Sequence, residues 1–177
     1  LIQNEAFKEY DALLPILEKN LDDTPDIQIS TLRLLKIIHK NQPIDNPKLV
    51  NLLWKKLHRP NHADLNYLQA SLLSALTQKT DHVPLLITYH ENALTNPALY
   101  EQAIIGLKHL SKFRDMFSLT ELASNFICDQ IQKGDYPETH LDAIQLLSQS
   151  IVFHRDELSS HVWQVIYLFI HGEDEPL

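Results

Sequence analysis

The sequence predicts an all-α protein on three observations: scarce glycine, apolar residues at helical spacing, and prolines that fall mostly at short polar joints. Only 3 of the 177 residues are Gly, while the helix-favouring Leu, Ile, Ala, Lys, Gln and Glu are abundant. Apolar residues recur at i, i+3 and i+4, and no segment alternates apolar and polar residues. We therefore predict helices and no β-sheet. With 44% hydrophobic residues, a chain of this length can bury a core of its own.

The helices are expected as successive pairs, each pair joined by a polar segment that contains proline. Pro15 either kinks the first helix or marks the start of its second half, whereas Pro84 suits the first turn of a helix. Asn46 and Ser118 are among the expected N-caps. In chain order, the predicted helical segments include residues 14–17, 27–38, 49–57, 65–76, 83–86, 99–110, 119–131, 141–152 and about 158–171.

The second helices of the pairs repeat along the chain. Leu35, Leu73, Leu107 and Leu147 occupy equivalent places, at spacings of 38, 34 and 40 residues. Three residues later stand Ile38, Leu76, Leu110 and Ser150. Such a period indicates a solenoid, in which each repeat buries its apolar face against its neighbours.

The order of these elements resembles a known family of repeats. Leu14-Pro15-Ile16-Leu17, an acidic joint, Pro25-Asp26-Ile27 and then closely spaced leucines resemble the HEAT repeat, a relative of the armadillo repeat, over roughly residues 10–154. The resemblance implies an α-α superhelix of about four antiparallel helix pairs plus a final helix, in a single domain over residues 1–177. Tetratricopeptide repeats are the nearest alternative, but they need a period of about 34 with small and aromatic signature positions, which this chain lacks.

HEAT repeats usually place a basic residue just after the apolar residue of the joint. Gln28, Asn66 and Tyr100 stand there in this chain. We therefore expect stacking to depend on apolar packing.

The second helices of such a solenoid line its concave side, which is the usual binding surface. We take this face to be the side of each second helix that lies opposite to its apolar stripe. The residues on that side are polar and locally basic. It is expected to hold an acidic peptide, helix or other anionic partner, and the alternative is an ordinary solvated face with scattered lysines. The candidate partner-binding residues are Arg33, Lys36, Lys40, Tyr67, Ser74, Gln78, Lys108, Lys112 and Gln145.

Charge is unevenly distributed along the chain. The formal net charge is -8, yet residues 31–59 carry 7 basic and 1 acidic residue, a local net of +6. An acidic protein with one basic block is a poor general binder of nucleic acid but offers a local surface that attracts anions. No apolar stretch approaches the roughly 20 residues of a membrane span, so none is expected.

No motif for catalysis, cofactor binding or metal binding is recognisable. Cys128 is the only cysteine, which excludes an internal disulfide, and it is expected to be a small buried hydrophobe. The closest approach to metal-ligand spacing is His154, Glu157 and His161, but residues 155–159 indicate a helix start that would spoil the register. No glycine-rich phosphate loop is present. We expect no cofactor.

The sequence thus favours a protein–protein interaction or scaffold module of a longer protein, since the chain begins with Leu1 rather than Met. One alternative is a helical accessory domain of a larger enzyme. Another is a nucleic-acid-binding module resembling the HEAT-like alkylation-repair DNA glycosylases, which the acidic total disfavours. If the final helix normally packs on further repeats, this chain should expose Trp163, Ile166 and Phe169 and favour a homodimer. A single cysteine and no visible signal peptide favour the cytoplasm.

Overall fold

The computed structural model of the protein describes residues 10–57, 63–153 and 160–171, and this part of the chain is all-α, as predicted. It contains no strand, and every predicted helix is present. His154 and Glu157, of the considered metal triad, lie outside the described residues. The helices are α1 (Tyr10–Asn20), α2 (Pro25–Asn41), α3 (Pro47–Leu57), α4 (Ala63–Leu76), α5 (Val83–Leu94), α6 (Tyr100–Leu110), α7 (Glu121–Lys133), α8 (His140–Phe153) and α9 (Ser160–His171).

The chain divides into two compact units, Leu1–Thr77 and Gln78–Leu177. In the first unit α2 packs against α1 and α4, and α3 also packs against α4. In the second unit α5 packs against α6 and α7, α8 packs against α6 and α7, and α9 packs against α7 and α8. The prediction of one domain over residues 1–177 stays a prediction.

The predicted apolar stripe forms the core of each unit. Leu35 and Leu73 in the first unit, and Leu107 and Leu147 in the second, are completely buried. Burying a leucine side chain contributes about 1.5–3 kcal/mol, so these four positions are major determinants of stability. The sequence assigned them correctly because the helical period alone selects the inward face.

Ser150 interrupts this stripe for a structural reason. It stands where the other second helices carry Ile or Leu, and it is 1% exposed. Its hydroxyl accepts a hydrogen bond from the backbone N–H of Leu119 at 3.2 Å. A polar residue is therefore needed here, since an apolar one would leave a buried donor without a partner.

Side chains and backbone geometry define several helix ends. The Oδ1 atom of Asn46 accepts the N–H groups of Lys48 and Leu49 at 2.9 and 3.1 Å, which confirms Asn46 as an N-cap. The N-cap of α7 is Thr120 and not Ser118, because the Thr120 hydroxyl accepts the N–H of Ala123.

Both prolines singled out in the sequence lie inside helices. Pro15 lies within α1 and is exposed. Pro84 lies in the first turn of α5, as predicted, where its missing N–H costs nothing.

No helix in residues 10–57, 63–153 or 160–171 combines the length and the apolar character needed to cross a lipid bilayer. Among the same residues, no three side chains of His, Cys, Asp or Glu are grouped so that they could hold a metal ion.

Candidate functional site

Two residues of the predicted binding face, Tyr67 and Ser74, are wrongly assigned to solvent. Their exposed fractions are 8% and 0%. Both lie on α4, which packs against α2 and α3 at once, so positions that a one-sided helix would expose are covered. Ser74 donates its hydroxyl proton to the carbonyl of Ala70, one turn earlier, at 2.8 Å.

Of the three candidate cations on α2, one packs against α4 and the other two are exposed to solvent. Lys36 is half-buried, and its Nζ donates a hydrogen bond to the Ser71 hydroxyl of α4 at 3.0 Å. Burial lowers the pKa of Lys36. Lys36 therefore joins two helices of the first unit and is not freely available as predicted, whereas Arg33 and Lys40 are exposed.

The second unit brings three of the predicted residues, Lys108, Lys112 and Gln145, into one pocket of about 240 Å³. It lies between the end of α6, the segment that follows it, and one side of α8. We call it the basic pocket, and its lining residues are Lys108, Ser111, Lys112, Arg114, Asp142, Gln145, Leu146 and Gln149. Gln78, the remaining predicted residue, is exposed just beyond the end of α4 and does not line this pocket.

The backbone after α6 turns tightly and so brings the cations together. The N–H of Phe113 donates to the carbonyl of Leu110 at 3.0 Å, and the N–H of Phe117 donates to the carbonyl of Phe113 at 2.9 Å. Phe117 is 1% exposed and anchors the segment in the core. A short 3-10 helix, Arg114–Met116, then begins at the arginine. Basic side chains are also favourable here because the C-terminal end of a helix carries partial negative charge.

The three cations of the basic pocket differ in what surrounds their charged groups. Lys108 forms an ion pair with Asp142 of α8. The ammonium group of Lys112 lies over the ring of Phe113, 5.1 Å from its centroid, and burial lowers the pKa of Lys112. Within the described part of the chain, neither Lys112 nor Arg114 has a carboxylate within ion-pair distance. Two positive charges of the pocket are thus available to an anion.

An amide group completes the pocket. The side-chain oxygen of Gln149 is buried and has no hydrogen-bond partner among the residues that the structure describes. Buried polar atoms are normally satisfied, and this oxygen, as an acceptor, would pair with an N–H group of a ligand and not with its carboxylate. Gln145, one turn earlier on α8, is exposed and offers a second amide. Cations beside uncharged amides suit a carboxylate attached to a peptide backbone.

Arg114 and Asp142 line the pocket although the sequence did not single them out. Arg114 lies in a joint and Asp142 in the first turn of a helix, where an acidic residue is favourable without any further role. The signal that could have found Arg114 was the cluster of cations at residues 108, 112 and 114, around the predicted end of a helix.

The final helix exposes only part of the apolar face that the sequence predicted. Trp163 and Phe169 are 47% and 42% exposed, as expected. Ile166 is buried at 6%, which corrects the prediction; it belongs to the face of α9 that packs against α7 and α8. Self-association through α9 stays a prediction.

Cys128 is completely buried in α7, as predicted. Burial, with a smaller effect from the neighbouring charge of Asp129, raises the pKa of its thiol to about 12. Burial therefore disfavours the thiolate, which is the nucleophilic form of cysteine.

Comparison of the chain with models of known protein families, with curated proteins and with solved structures finds no significant match.

Proposed function

We propose that the protein is a HEAT-like helical interaction module whose basic pocket binds an acidic segment of a partner protein. The observation that carries the proposal is the grouping of Lys108, Lys112 and Arg114 around one pocket, with a single carboxylate among them, in a protein of net charge -8. Local positive potential on an acidic protein attracts and orients an anionic partner.

The helix contacts support the repeat architecture on which the proposal depends. In the second unit α5 and α6 pack against each other. In addition, α5 packs against α7, and α6 packs against α8. In the first unit α2 packs against α4, again one second helix against the next. These are the neighbours that stacked helix pairs would have.

Binding would use the two cations that lack a carboxylate. Lys112 is exposed, and its ammonium group lies over the Phe113 ring, which limits its orientations and leaves it accessible to a carboxylate. Arg114 offers a planar fork that can hold a carboxylate by two hydrogen bonds. Lys108 is already paired with Asp142, so the pocket would suit partners that need no contact with that lysine. In the first unit, Arg33 and Lys40 are exposed and stay separate candidates for contact with an anionic partner.

The test is the binding of a fluorescein-labelled, glutamate-rich peptide, measured by fluorescence anisotropy. The variant Lys112→Gln with Arg114→Gln should weaken binding by about tenfold or more, since charge-assisted hydrogen bonds contribute about 1.5–3 kcal/mol each. Lys55→Gln with Lys133→Gln removes the same charge from exposed positions outside the pocket and is the matched control. The control should bind as the wild type does, and added salt should weaken binding.

Two results would contradict this function. Equal loss of affinity in both double variants would mean that overall charge, and not the basic pocket, governs binding. Labelled duplex DNA that binds more tightly than the peptide, with a steep salt dependence, would support the nucleic-acid alternative.

A further inference from the structure

The second unit carries a groove between α5 and α7 that is chemically opposite to the basic pocket. It consists of two adjoining cavities, which we call its openings, with volumes of about 640 and 400 Å³. Thr88, Glu91 and Thr120 line both openings, so these lie on either side of one glutamate and form a continuous surface. We call it the α5–α7 groove. Its further lining residues are Pro84, Ile87, Met116, Ser118, Leu119, Glu121 and Ser150 in the larger opening, and Asn92, Leu94, Thr95, Leu122, Ala123 and Phe126 in the smaller.

The smaller opening has mainly apolar walls, the walls of the larger opening mix polar and apolar side chains, and each opening has an exposed apolar residue at its rim. Ile87 and Leu119 are buried in the wall of the larger opening, and Met116 at its edge is 38% exposed. Leu122, which lines the smaller opening, is 81% exposed. A leucine exposed to this extent contributes little to folding, and apolar side chains at the rim of a concave surface are typical of docking sites.

Glu91 supplies charge at the centre of the groove. Its Oε1 accepts the backbone N–H of Thr120 at 2.7 Å, which holds the carboxylate at the N-terminal end of α7. Burial raises the pKa of Glu91, and the hydrogen bonds from Thr120 oppose this effect. A carboxylate can accept about four hydrogen bonds, so the bond from Thr120 leaves Glu91 with capacity for a ligand. Glu121 is the other charged residue of the lining, and no cation lines either opening.

We propose that the α5–α7 groove docks a helical segment of a partner protein that presents Lys or Arg between two apolar side chains. The cation would contact Glu91, and one apolar side chain would enter each opening. Charge complementarity selects this partner: a segment with an acidic residue at the central position would meet Glu91 and Glu121 with like charge. Helix-in-groove recognition usually relies on apolar anchors three or four residues apart on one helical face, and here a basic residue would stand between two such anchors.

The probe is a labelled, alanine-based helical peptide with one Arg flanked by Leu four residues before it and three residues after it. A second peptide carries Gln in place of that Arg. Fluorescence anisotropy with the wild-type protein should show that the Arg peptide binds at least about tenfold more tightly than the Gln peptide, a difference of about 1.4 kcal/mol.

Two protein variants separate the charge from the apolar contacts. Glu91→Gln keeps an acceptor for the Thr120 N–H but removes the charge, and should bring the Arg peptide to the affinity of the Gln peptide. Leu122→Ser should weaken the binding of both peptides by severalfold, and the fold should tolerate it because Leu122 is exposed. Asp81→Asn and Leu141→Ser are the matched controls, since both residues are exposed and lie outside the groove.

The proposal is overturned if the two peptides bind equally, if neither binds, or if the groove variants behave as their controls do. The double variant Lys112→Gln with Arg114→Gln should bind the Arg peptide at least as well as the wild type. This result distinguishes a failure of the α5–α7 groove from a failure of the basic pocket, because each set of variants affects a different peptide.

Discussion

The imidazole ring of His90 in α5 occupies the space that a Cβ atom at Gly106 of α6 would need. Three ring atoms of His90 would lie far inside van der Waals distance of such a Cβ. Both residues are buried, and α5 and α6 pack closely against each other. A glycine in the middle of a helix normally costs about 1 kcal/mol relative to alanine, and here the absent side chain makes room for the ring.

Gly106→Ala should therefore destabilise the protein, against the usual helix preference. The added methyl group must displace the His90 ring from a close-packed interior, which typically costs about 1–3 kcal/mol. Urea unfolding monitored by circular dichroism measures the change. Gly106→Ala should lower the free energy of unfolding less when it is made in a His90→Ala variant than when it is made in the wild type. Additive effects would contradict the steric explanation.

The ion pair between Lys56 of α3 and Asp22 should stabilise the first unit. The Nζ–Oδ1 distance is 2.5 Å, and the side chain of Lys56 is only 6% exposed. Asp22→Ala would leave a buried ammonium group without this carboxylate and should lower the free energy of unfolding by about 1.5–3 kcal/mol. Asp45→Ala, at an exposed position, is the control and should change stability by less than about 0.5 kcal/mol. Similar losses in the two variants would mean that the ion pair contributes nothing specific.

Glu91 should make stability depend on pH in a defined direction. Because burial raises its pKa in the folded state, the folded protein binds the proton more tightly than the unfolded chain does. This contribution is fully present below the unfolded pKa of about 4.3 and is lost as pH rises through the raised folded pKa. The stability of Glu91→Gln relative to the wild type should therefore increase between pH 4 and pH 7, as measured by urea unfolding. A difference that is constant, or that falls with rising pH, would contradict the shift.

Cys128 should resist alkylation while the protein is folded. A thiol pKa of about 12 leaves roughly a thousandfold less thiolate at pH 8 than an ordinary cysteine has. Iodoacetamide should modify the native protein very slowly, and the urea-unfolded protein at the rate of a free thiol, as followed by intact-mass spectrometry. Rapid modification of the native protein would show that the thiol is accessible.

Several features of the protein follow from the sequence alone. The helical period located all nine described helices and the buried positions Leu35, Leu73, Leu107 and Leu147. The period sufficed because an amphipathic α-helix turns its apolar stripe towards the core whichever helices it packs against. The burial of Cys128 followed in the same way from its apolar neighbours.

The wrong predictions of side-chain exposure share one physical cause. The sequence of a helix does not determine how many other helices pack against it. Tyr67 and Ser74 were placed on an open face, yet α4 has helices on more than one side. Lys36 was assigned to solvent, but it bonds Ser71 across two helices. Ile166 was expected at an exposed end and instead packs inward.

The sequence by itself determined the helical class, the helix positions and the inward stripe, because these depend on contacts between residues three or four apart in the chain. Only the tertiary structure decided which polar residues meet. Lys112 and Gln145 share a pocket because α6 packs against α8, and Glu91 reaches Thr120 because α5 packs against α7. Such groupings join residues about thirty positions apart, and their geometry is set by the packing of whole helices, which no local pattern encodes.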